Sequence, residues 1–410
     1  MGTKATNMPG MPGMAKAYER WVNANGGIKG RRLRVITCNE KNTPTGAADC
    51  ARKAITEKAV AVVGSYSQHG RAFMAPLEAA GIPFIGGYGV SPEEFQSTLS
   101  YPVNGGQPAL LAGAGHQLGK ACSQVSLVRP DTLAGDTMPV LLNAGLKANG
   151  MPEASDIRAA EDSADFKPQA REALSSSPPA PAPAAPSGTT AATTPAPTPA
   201  AAAKAPKDPA KDPGKENRSC VTAVLGERTE IFFDAFRRVD TTRRTQISSV
   251  LGSISQALVD RTGGKDSPFE GAYVTSWYPV STDPLWAPMR TMISEQAFGD
   301  DTVDPDDSGA QTTWIAYSVL HQIVQRFRSD EEITARKLSR ALNQSPGVQT
   351  GNLTPELSWR YQDMRAVAGF PRLVNGRVSF QTVQSGRLIA QLGEQNLDMT
   401  PTLEQAPRSA

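Results

Sequence analysis

The sequence lacks a long hydrophobic run and a strong charge of either sign. None of its 410 residues lies in a stretch of 18 or more consecutive apolar residues, so the sequence predicts no membrane-spanning helix. The formal net charge is only +2 and no basic patch interleaved with aromatic residues occurs, so we expect no nucleic-acid partner. Residues 1–7 have no apolar region of the kind that a signal peptide requires.

Histidine and cysteine are scarce, with three and four residues respectively. Neither a Gly-x-Ser-x-Gly nucleophile elbow nor a Cys-x-x-Cys zinc spacing occurs. We interpret His69 as a polar loop residue and His116 and His321 as structural residues within helices. Segment 304–309 resembles a calcium loop, but Ile315 stands where a bidentate glutamate is needed, which favours an acidic surface loop. We therefore predict that the protein is not an enzyme and holds neither a metal nor a cofactor.

What the sequence does contain is an alternation of helices and short apolar strands near its beginning. A helix with an apolar stripe ends at Asn25-Gly26-Gly27, where glycine can adopt the left-handed conformation that terminates helices. The pattern then predicts a strand at 33–36, a helix at 45–58, and strands at 60–63 and 82–85. Such alternation is typical of a parallel sheet covered on both faces. Ligands of these sheets bind beyond the carboxyl ends of the strands, where loops 64–68 and 86–90 lie.

Several segments resemble one known family. They are Asn-Ala-Asn-Gly-Gly-Ile-Lys-Gly-Arg at 23–31, Val-Val-Gly at 62–64 and Ala-Ala-Gly-Ile-Pro at 79–83. Looser matches are the strands at 125–128 and 221–224, Trp-Tyr-Pro at 277–279 with Asp-Pro at 283–284, and the helix at 313–327. Over about nine-tenths of its length, the chain resembles the solute-binding proteins of branched-chain amino-acid ABC transporters. These Leu/Ile/Val-binding-like proteins have the type I periplasmic binding fold.

The resemblance implies an α/β fold of two Rossmann-like lobes joined by a three-stranded hinge. The first lobe would comprise residues 1–118 plus 279–373, and the second 119–278 plus 377–392, with a loose tail at 393–410. The family places a strand before the first helix, and no Val/Ile run stands there in this sequence. We therefore expect the natural protein to begin upstream, with a signal sequence and that strand.

One segment, 175–216, differs sharply from the rest in composition. It is rich in Ala, Pro and Thr and cannot bury enough apolar area to offset the entropy of ordering it. We expect a disordered insertion inside the second lobe, because the helix at 164–174 and the strand at 221–224 form one interrupted α/β unit. A linker between domains is the alternative interpretation.

The four cysteines agree with an exported protein, because disulfides persist in oxidising compartments. Four cysteines allow three pairings, and buried free thiols are a further alternative. In the family that the chain resembles, the strands beginning at Cys122 and Cys220 should be neighbours. The resemblance therefore implies one bridge between Cys122 and Cys220 and another between Cys38 and Cys50.

Alignment with the family, together with the clustering of aromatic residues, identifies a set of candidate ligand-binding residues. They are Tyr66, Ser67, Gln68, Tyr88, Gly89, Val90, Ala134, Glu227, Ser253 and Trp277. Gln68 stands at the position of the family's key serine, and Val90 replaces a threonine hydroxyl. Ala134 replaces an aromatic wall, and Ser253 replaces the carboxylate that binds an ammonium group. These departures argue against a leucine-like ligand and leave a small carboxylate, an amide or an aromatic compound. The alternative is that the tyrosines only pack around their loops.

The resemblance implies an extracytoplasmic protein that captures a small ligand between two lobes and delivers it to an ABC permease in the membrane. We expect a monomer that is periplasmic, secreted or lipid-anchored at the cell surface. A ligand-sensing receptor module with the same fold is the alternative. An enzyme acting in the cleft is a third hypothesis, which lacks a nucleophile with an adjacent base.

Overall fold

The computed structural model describes residues 7–160, 163–175, 218–243, 245–250, 253–364, 367, 369–393 and 395–406. The predicted insertion at 175–216 lies outside the described residues, apart from Ser175 at the end of a helix. Among the described helices, none has both the length and the apolar character needed to cross a membrane.

The described residues form an α/β fold of helices and mostly parallel strands. The helices are α1 (Gly10–Ala24), α2 (Pro44–Thr56), α3 (Gly70–Ala80), α4 (Glu93–Gln96), α5 (Gly106–Ala121), α6 (Leu133–Asp136), α7 (Met138–Lys147), α8 (Lys167–Ser175), α9 (Thr229–Val239), α10 (Gln256–Arg261), α11 (Ala287–Gln296), α12 (Ser308–Val324), α13 (Ala335–Gln344) and α14 (Thr400–Glu404). The strands are β1 (Val62–Val63), β2 (Phe84–Ile85), β3 (Ser100–Tyr101), β4 (Gln124–Pro130), β5 (Ser155–Ala159), β6 (Ser219–Ala223), β7 (Gln246–Val250), β8 (Tyr273–Ser276), β9 (Arg377–Gln384), β10 (Arg387–Ala390) and β11 (Leu397–Asp398). Short 3-10 helices lie at Gly226–Arg228, Gly264–Asp266, Pro284–Trp286 and Tyr361–Asp363.

The small sheet consists of β1, β2 and β3, which are parallel and lie in that order. Helix α12 contacts β1 and β2 and packs against α1, while α2 and α3 pack against each other. The apolar stripe predicted for the first helix is confirmed, since Met14, Tyr18 and Val22 are at most 2% exposed. Burial of such a side chain stabilises a fold by about 1.5–3 kcal/mol.

The strand predicted at 33–36 is wrong, because the structure has no strand in this segment. Its backbone groups are paired with side chains of α1 instead. Asn23 Oδ1 accepts from Leu33 N at 2.9 Å, and Asn23 Nδ2 donates to Leu33 O at 2.8 Å. Glu19 Oε1 accepts from Val35 N at 3.0 Å. Leu33 and Val35 therefore satisfy these backbone groups without a neighbouring strand, as buried backbone requires.

The large sheet has the order β10-β9-β8-β7-β6-β4-β5, with β11 paired to β9. Strands β5, β4, β6, β7 and β8 are parallel, and β9 pairs antiparallel with β8. Val125 and Leu127 of β4 belong to the core that includes α5 and α7, whereas Val128 belongs to a separate core with the phenylalanines of α9. Because neighbouring strand residues point to opposite faces, the sheet is buried on both sides.

The chain passes between the two sheets three times: after β3, after β8 and before β9. Hydrogen bonds join these crossings. Asn104 Nδ2 donates to Tyr278 Oη at 3.0 Å, and Asn375 Nδ2 donates to Val103 O at 3.0 Å. Helix α5 follows the first crossing and packs against α7, β7, β8 and β9. The lobe border predicted at 118–119 therefore falls inside a continuous helix that packs on the large sheet, and the crossing comes earlier in the chain.

The C-terminal segment 393–410, predicted to be a loose tail, is ordered over much of its length. Strand β11 pairs antiparallel with β9, and α14 contacts α5 and α7. Met399 is 0% exposed and Leu403 is 3% exposed, so apolar burial holds the segment in place. The prediction of a loose tail is wrong over these residues, because two apolar side chains anchor the segment in the core.

Both predicted disulfides are present. Cys38 and Cys50 are bridged with a Cα–Cα distance of 5.6 Å, and Cys122 and Cys220 with a distance of 6.0 Å. The second bridge links the beginnings of β4 and β6, which are hydrogen-bonded neighbours. The family-based expectation that these two strands are adjacent is therefore confirmed.

Candidate functional site

The loops that follow β1 and β2 lie beside the first half of α12. Gly64 and Gly86 end these strands with φ angles of 59° and 63°. A Cβ atom on Gly86 would stand 2.4 Å from the Cβ atom of Ala316, and one on Gly64 would stand 2.9 Å from Thr313 Cγ2. Glycine is required at both positions by the left-handed backbone and by the close approach of the helix.

Three of the predicted site residues pack together, and we call them the aromatic cluster: Tyr66, Tyr88 and Trp277. The rings of Tyr66 and Tyr88 meet edge to face at 5.5 Å, and those of Tyr88 and Trp277 at 5.0 Å. Such pairs contribute about 0.5–1.5 kcal/mol beyond the area they bury. The cluster joins the loops after β1 and β2 to the end of β8, so it links the two sheets.

The polar atoms of the two inner rings are already hydrogen-bonded. Tyr88 Oη lies 2.7 Å from Ser308 Oγ, and Trp277 Nε1 donates to Gly106 O at 2.9 Å. Tyr88 is 5% exposed and Trp277 is 3% exposed, and burial raises the pKa of the Tyr88 hydroxyl. Tyr66 is only half-buried. It is therefore the ring of the cluster best placed to touch a ligand.

A buried carboxylate organises the loop that contains Gly89 and Val90. Glu94 Oε2 accepts from Gly89 N at 2.9 Å, while Oε1 accepts from Val90 N, Ser91 N and Ser91 Oγ, each at 3.0 Å. Glu94 is 2% exposed, and burial raises its pKa to about 7 although these hydrogen bonds act in the opposite direction. The backbone donors of this loop are thus engaged by the protein itself. The sequence pattern gave no sign of this role.

The loop after β1 lies beside a second carboxylate, the half-buried Glu40 before α2, which the sequence pattern did not indicate. Ser67 Oγ accepts from His69 N at 3.0 Å, and Gln68 Nε2 donates to Tyr66 Oη at 2.8 Å. Burial raises the pKa of Glu40, while a hydrogen bond from Ser67 and the charge of His69 lower it. His69 therefore has a carboxylate near it. Its buried Nε2 has no hydrogen-bond partner among the described residues.

The predicted residues of the second lobe follow strands of the large sheet. Ala134 lies exposed in α6 after β4, Glu227 lies in the 3-10 helix after β6, and Ser253 lies in the turn after β7. The side chain of Glu227 is outside the described part of the structure. Among the described contacts, none joins Ala134 or Ser253 to the aromatic cluster. The set of ten residues therefore remains a prediction. The structure brings together Trp277 and those members of the set that belong to the first lobe.

A cavity of about 120 Å³ lies between the ends of β7 and β8 and the beginning of α12. Its lining includes Ile254 and Ser255 after β7, Ser276 and Pro279 at the end of β8, and Ser308 of α12. Because Ser308 also contacts Tyr88, the cavity adjoins the aromatic cluster. None of the ten predicted residues lines it.

One wall of this cavity is acidic. Asp304, Asp306 and Asp307 line it, so the acidic segment that we predicted as a surface loop instead borders a cavity. Burial raises the pKa of both Asp306 and Asp307, and the neighbouring Asp304 raises them further. Asp307 also accepts from Ala310 N at 2.6 Å and so caps α12. The wall can accept hydrogen bonds or hold a positive charge.

The fold and this site define a class of ligand-binding proteins: two α/β units connected by three crossings, with loops at the carboxyl ends of their strands facing one another. Residues 2–370 match the Periplasmic binding protein family, and the chain belongs to this family. Family membership implies an extracytoplasmic location. The resemblance to Leu/Ile/Val-binding-like proteins and the α/β fold of that type are confirmed.

Solved structures support the fold. An extracellular ligand-binding receptor from Verminephrobacter eiseniae is 14% identical with a TM-score of 0.70, covering 92% of this chain and 94% of its own. A possible leucine/isoleucine/valine-binding protein from Rhodopirellula baltica is 12% identical with a TM-score of 0.69, covering 95% and 94%.

A third structure has a bound ligand. It is an ABC-transporter solute-binding protein from Rhodopseudomonas palustris in complex with 3,4-dihydroxybenzoic acid, 12% identical with a TM-score of 0.70, covering 97% and 95%. No curated protein matches the chain. The family and these neighbours are binding or receptor proteins.

Proposed function

We propose that this chain is a solute-binding protein that captures a small molecule between its two lobes for an ABC permease. The observation that carries the proposal is the 5.0 Å ring contact of Tyr88, in the loop after β2, with Trp277 at the end of β8, beside the cavity at the ends of β7 and β8. Through this contact, loops at the carboxyl ends of both sheets meet in one place, as ligand sites in open α/β sheets do.

The proposed mechanism is a population shift toward a closed arrangement of the lobes. Three crossings connect the lobes, and a few residues at such crossings can absorb the backbone changes of a hinge. A ligand that touches Tyr66 on one side and the loop after β7 on the other gains both sets of contacts only when the lobes close. Binding therefore favours closure.

The ligand that we propose is a small aromatic compound carrying hydroxyl groups. Tyr66 offers a ring face or edge, while the acidic wall at Asp306 and Asp307 accepts hydrogen bonds. The donors of the loop after β2 are occupied by Glu94, so they are not available to the carboxylate of an amino acid. 3,4-Dihydroxybenzoic acid, the ligand of the Rhodopseudomonas palustris protein, has the ring and the hydroxyl groups and serves as a probe, and its carboxylate must then bind away from Glu94 and from the acidic wall.

The test is to titrate the full chain with 3,4-dihydroxybenzoate, benzoate or leucine. Calorimetry measures the binding, and thermal unfolding measures the gain in stability. We expect the tightest binding for 3,4-dihydroxybenzoate, and a ligand at 100 times its Kd stabilises the protein by about 2.7 kcal/mol. Tyr66→Ala should weaken binding about two- to tenfold through the lost ring contact. Tyr361→Ala is the matched control, because Tyr361 is 92% exposed. A leucine preference would refute the ligand assignment, and failure of every small solute would refute the solute-binding function.

We further propose that the protein works as a monomer, has no catalytic activity and has the ABC permease as its membrane partner. The protein should be incubated for a long time with a free acid, an amide or an aromatic solute. Recovery of the solute unchanged would support the absence of catalysis. Turnover of the bound compound would refute it. Light scattering with and without ligand tests the monomer.

A further inference from the structure

A second cavity, of about 230 Å³, lies at the opposite edge of the large sheet. Its lining includes Arg218 before β6, Arg237 at the end of α9 and Arg243 before β7, together with Glu270 before β8. All four residues are at the amino ends of parallel strands. The cavity is therefore remote from the carboxyl ends, where the proposed solute site lies.

The positive charge of this cavity is not balanced by its single carboxylate. Glu270 already accepts from Ser385 N at 2.6 Å and from Gly386 N at 2.9 Å, so it holds the turn between β9 and β10. Within the described ranges, neither Arg218 nor Arg243 has a carboxylate within ion-pair distance. Two exposed guanidinium groups thus share the cavity with one carboxylate, Glu270, which is already engaged by two backbone donors.

Arg237 is fixed in place by the protein and is partly withdrawn from solvent. Its Nε donates to Pro268 O at 3.0 Å, and its Nη1 contacts Thr245 O at 3.4 Å and Asp240 Oδ2 at 3.5 Å. Among the described contacts, Nη2 makes no hydrogen bond. The side chain is 12% exposed, and burial together with the charge of Arg243 lowers its pKa. The Arg237 guanidinium is thus held rigidly with one edge available to the cavity.

We propose that this cavity binds a tetrahedral oxyanion, a phosphate group held by the guanidinium groups of Arg218, Arg237 and Arg243. Guanidinium forks match the geometry of phosphate oxygens and form short, charge-assisted hydrogen bonds with them. The volume is sufficient, since a water molecule accounts for about 30 Å³ of liquid. The phosphate could be free in solution or belong to an anionic lipid headgroup, because the same groups would recognise both.

The experiment is calorimetric titration of the full chain with inorganic phosphate at constant ionic strength, with chloride as the matched anion. We expect saturable phosphate binding that Arg218→Gln and Arg243→Gly each weaken about tenfold, equivalent to about 1.4 kcal/mol. Arg243 has a φ of 49°, a conformation that glycine adopts readily, so Arg243→Gly should fold normally. Arg238→Gln is the control, because Arg238 is exposed on α9 and pairs with Asp234.

Cosedimentation with vesicles of phosphatidylglycerol or phosphatidylcholine separates the two sources of phosphate. The site binds a lipid headgroup if the protein sediments with phosphatidylglycerol vesicles but not with phosphatidylcholine vesicles, and if both arginine variants lose this binding. The site binds the free ion if inorganic phosphate binds. Tyr66→Ala must retain the binding, since that residue belongs to the proposed solute site. The inference is overturned if neither probe binds, if the arginine variants bind like Arg238→Gln, or if Tyr66→Ala abolishes binding.

Discussion

The buried carboxylate of Glu94 should make the stability of the protein depend on pH. The proposed change is Glu94→Gln, which keeps the shape of the side chain and removes its charge. An amide oxygen at the Oε1 position can still accept from Val90 N, Ser91 N and Ser91 Oγ. The amide nitrogen would then face Gly89 N, a donor, where Oε2 now accepts. One hydrogen bond is lost, at a cost of about 1–3 kcal/mol for the unsatisfied group.

The sign follows from the direction of the pKa shift. Burial raises the pKa of Glu94 from 4.5 to about 7, so between these values the folded protein binds more protons than the unfolded chain. The stabilisation that the Glu94 carboxyl contributes to the wild-type protein is fully present below pH 4.5 and is lost as the pH rises toward 7. A shift of this size corresponds to about 3 kcal/mol. Glutamine does not titrate, so the variant lacks this decrease.

The assay is urea unfolding of both proteins, followed by tryptophan fluorescence, at several pH values between 4.5 and 8. The free energy of unfolding of Glu94→Gln relative to wild type should increase by about 3 kcal/mol over this range. Burial also raises the pKa of Glu40, Asp306 and Asp307, but these contributions cancel between the two proteins. Glu93→Gln, next to Glu94 in α4, serves as the control. Parallel pH profiles for wild type and Glu94→Gln would refute the reasoning.

Two further predictions concern stability. Cys220→Ser removes the bridge that spans 98 residues and should lower the free energy of unfolding, measured by urea unfolding, by roughly 4–5 kcal/mol. Cys50→Ser removes the bridge that spans 12 residues and should lower it by roughly 3 kcal/mol. Equal costs would contradict the loop-entropy argument. Asp156→Asn should cost about 1.5–3 kcal/mol, because Asp156 accepts at 2.7 and 2.8 Å from Arg129, which is 1% exposed and keeps Asp136 as a partner at 2.9 Å. Asp131→Asn, in an exposed pair, should cost less than about 1 kcal/mol, and similar losses for both would contradict the role of burial.

The parts of the fold that the sequence predicted are those whose apolar pattern matches one element. Strands β4 and β6 are short valine-containing segments buried on both faces, and α1 has a clear apolar stripe. The pairing of Cys122 with Cys220 followed from the resemblance, which implied that their strands are neighbours, as they are in the structure. A local pattern is sufficient for the strands and for α1, whereas the disulfide required the resemblance.

The wrong predictions share one physical cause: polar groups find partners that are distant in the sequence. Segment 33–36 has the composition of a strand, but side chains of α1 take its backbone hydrogen bonds. Segment 304–309 is acidic and yet borders a cavity, because its aspartates lie where α12 begins against the end of β8. Neither outcome can be derived from residue types nearby in the sequence.

Glu94 illustrates why the candidate site could be located but its chemistry could not be derived. The resemblance placed ligand contacts on the loop of Gly89 and Val90, and the structure shows that an internal carboxylate occupies the donors of this loop. A carboxylate of the protein thus occupies the loop on which the resemblance placed ligand contacts. In the proposed site, recognition then rests on Tyr66 and on other groups of the cleft, such as the acidic wall. A ligand with a ring and hydroxyl donors satisfies both, whereas leucine offers no ring to the first.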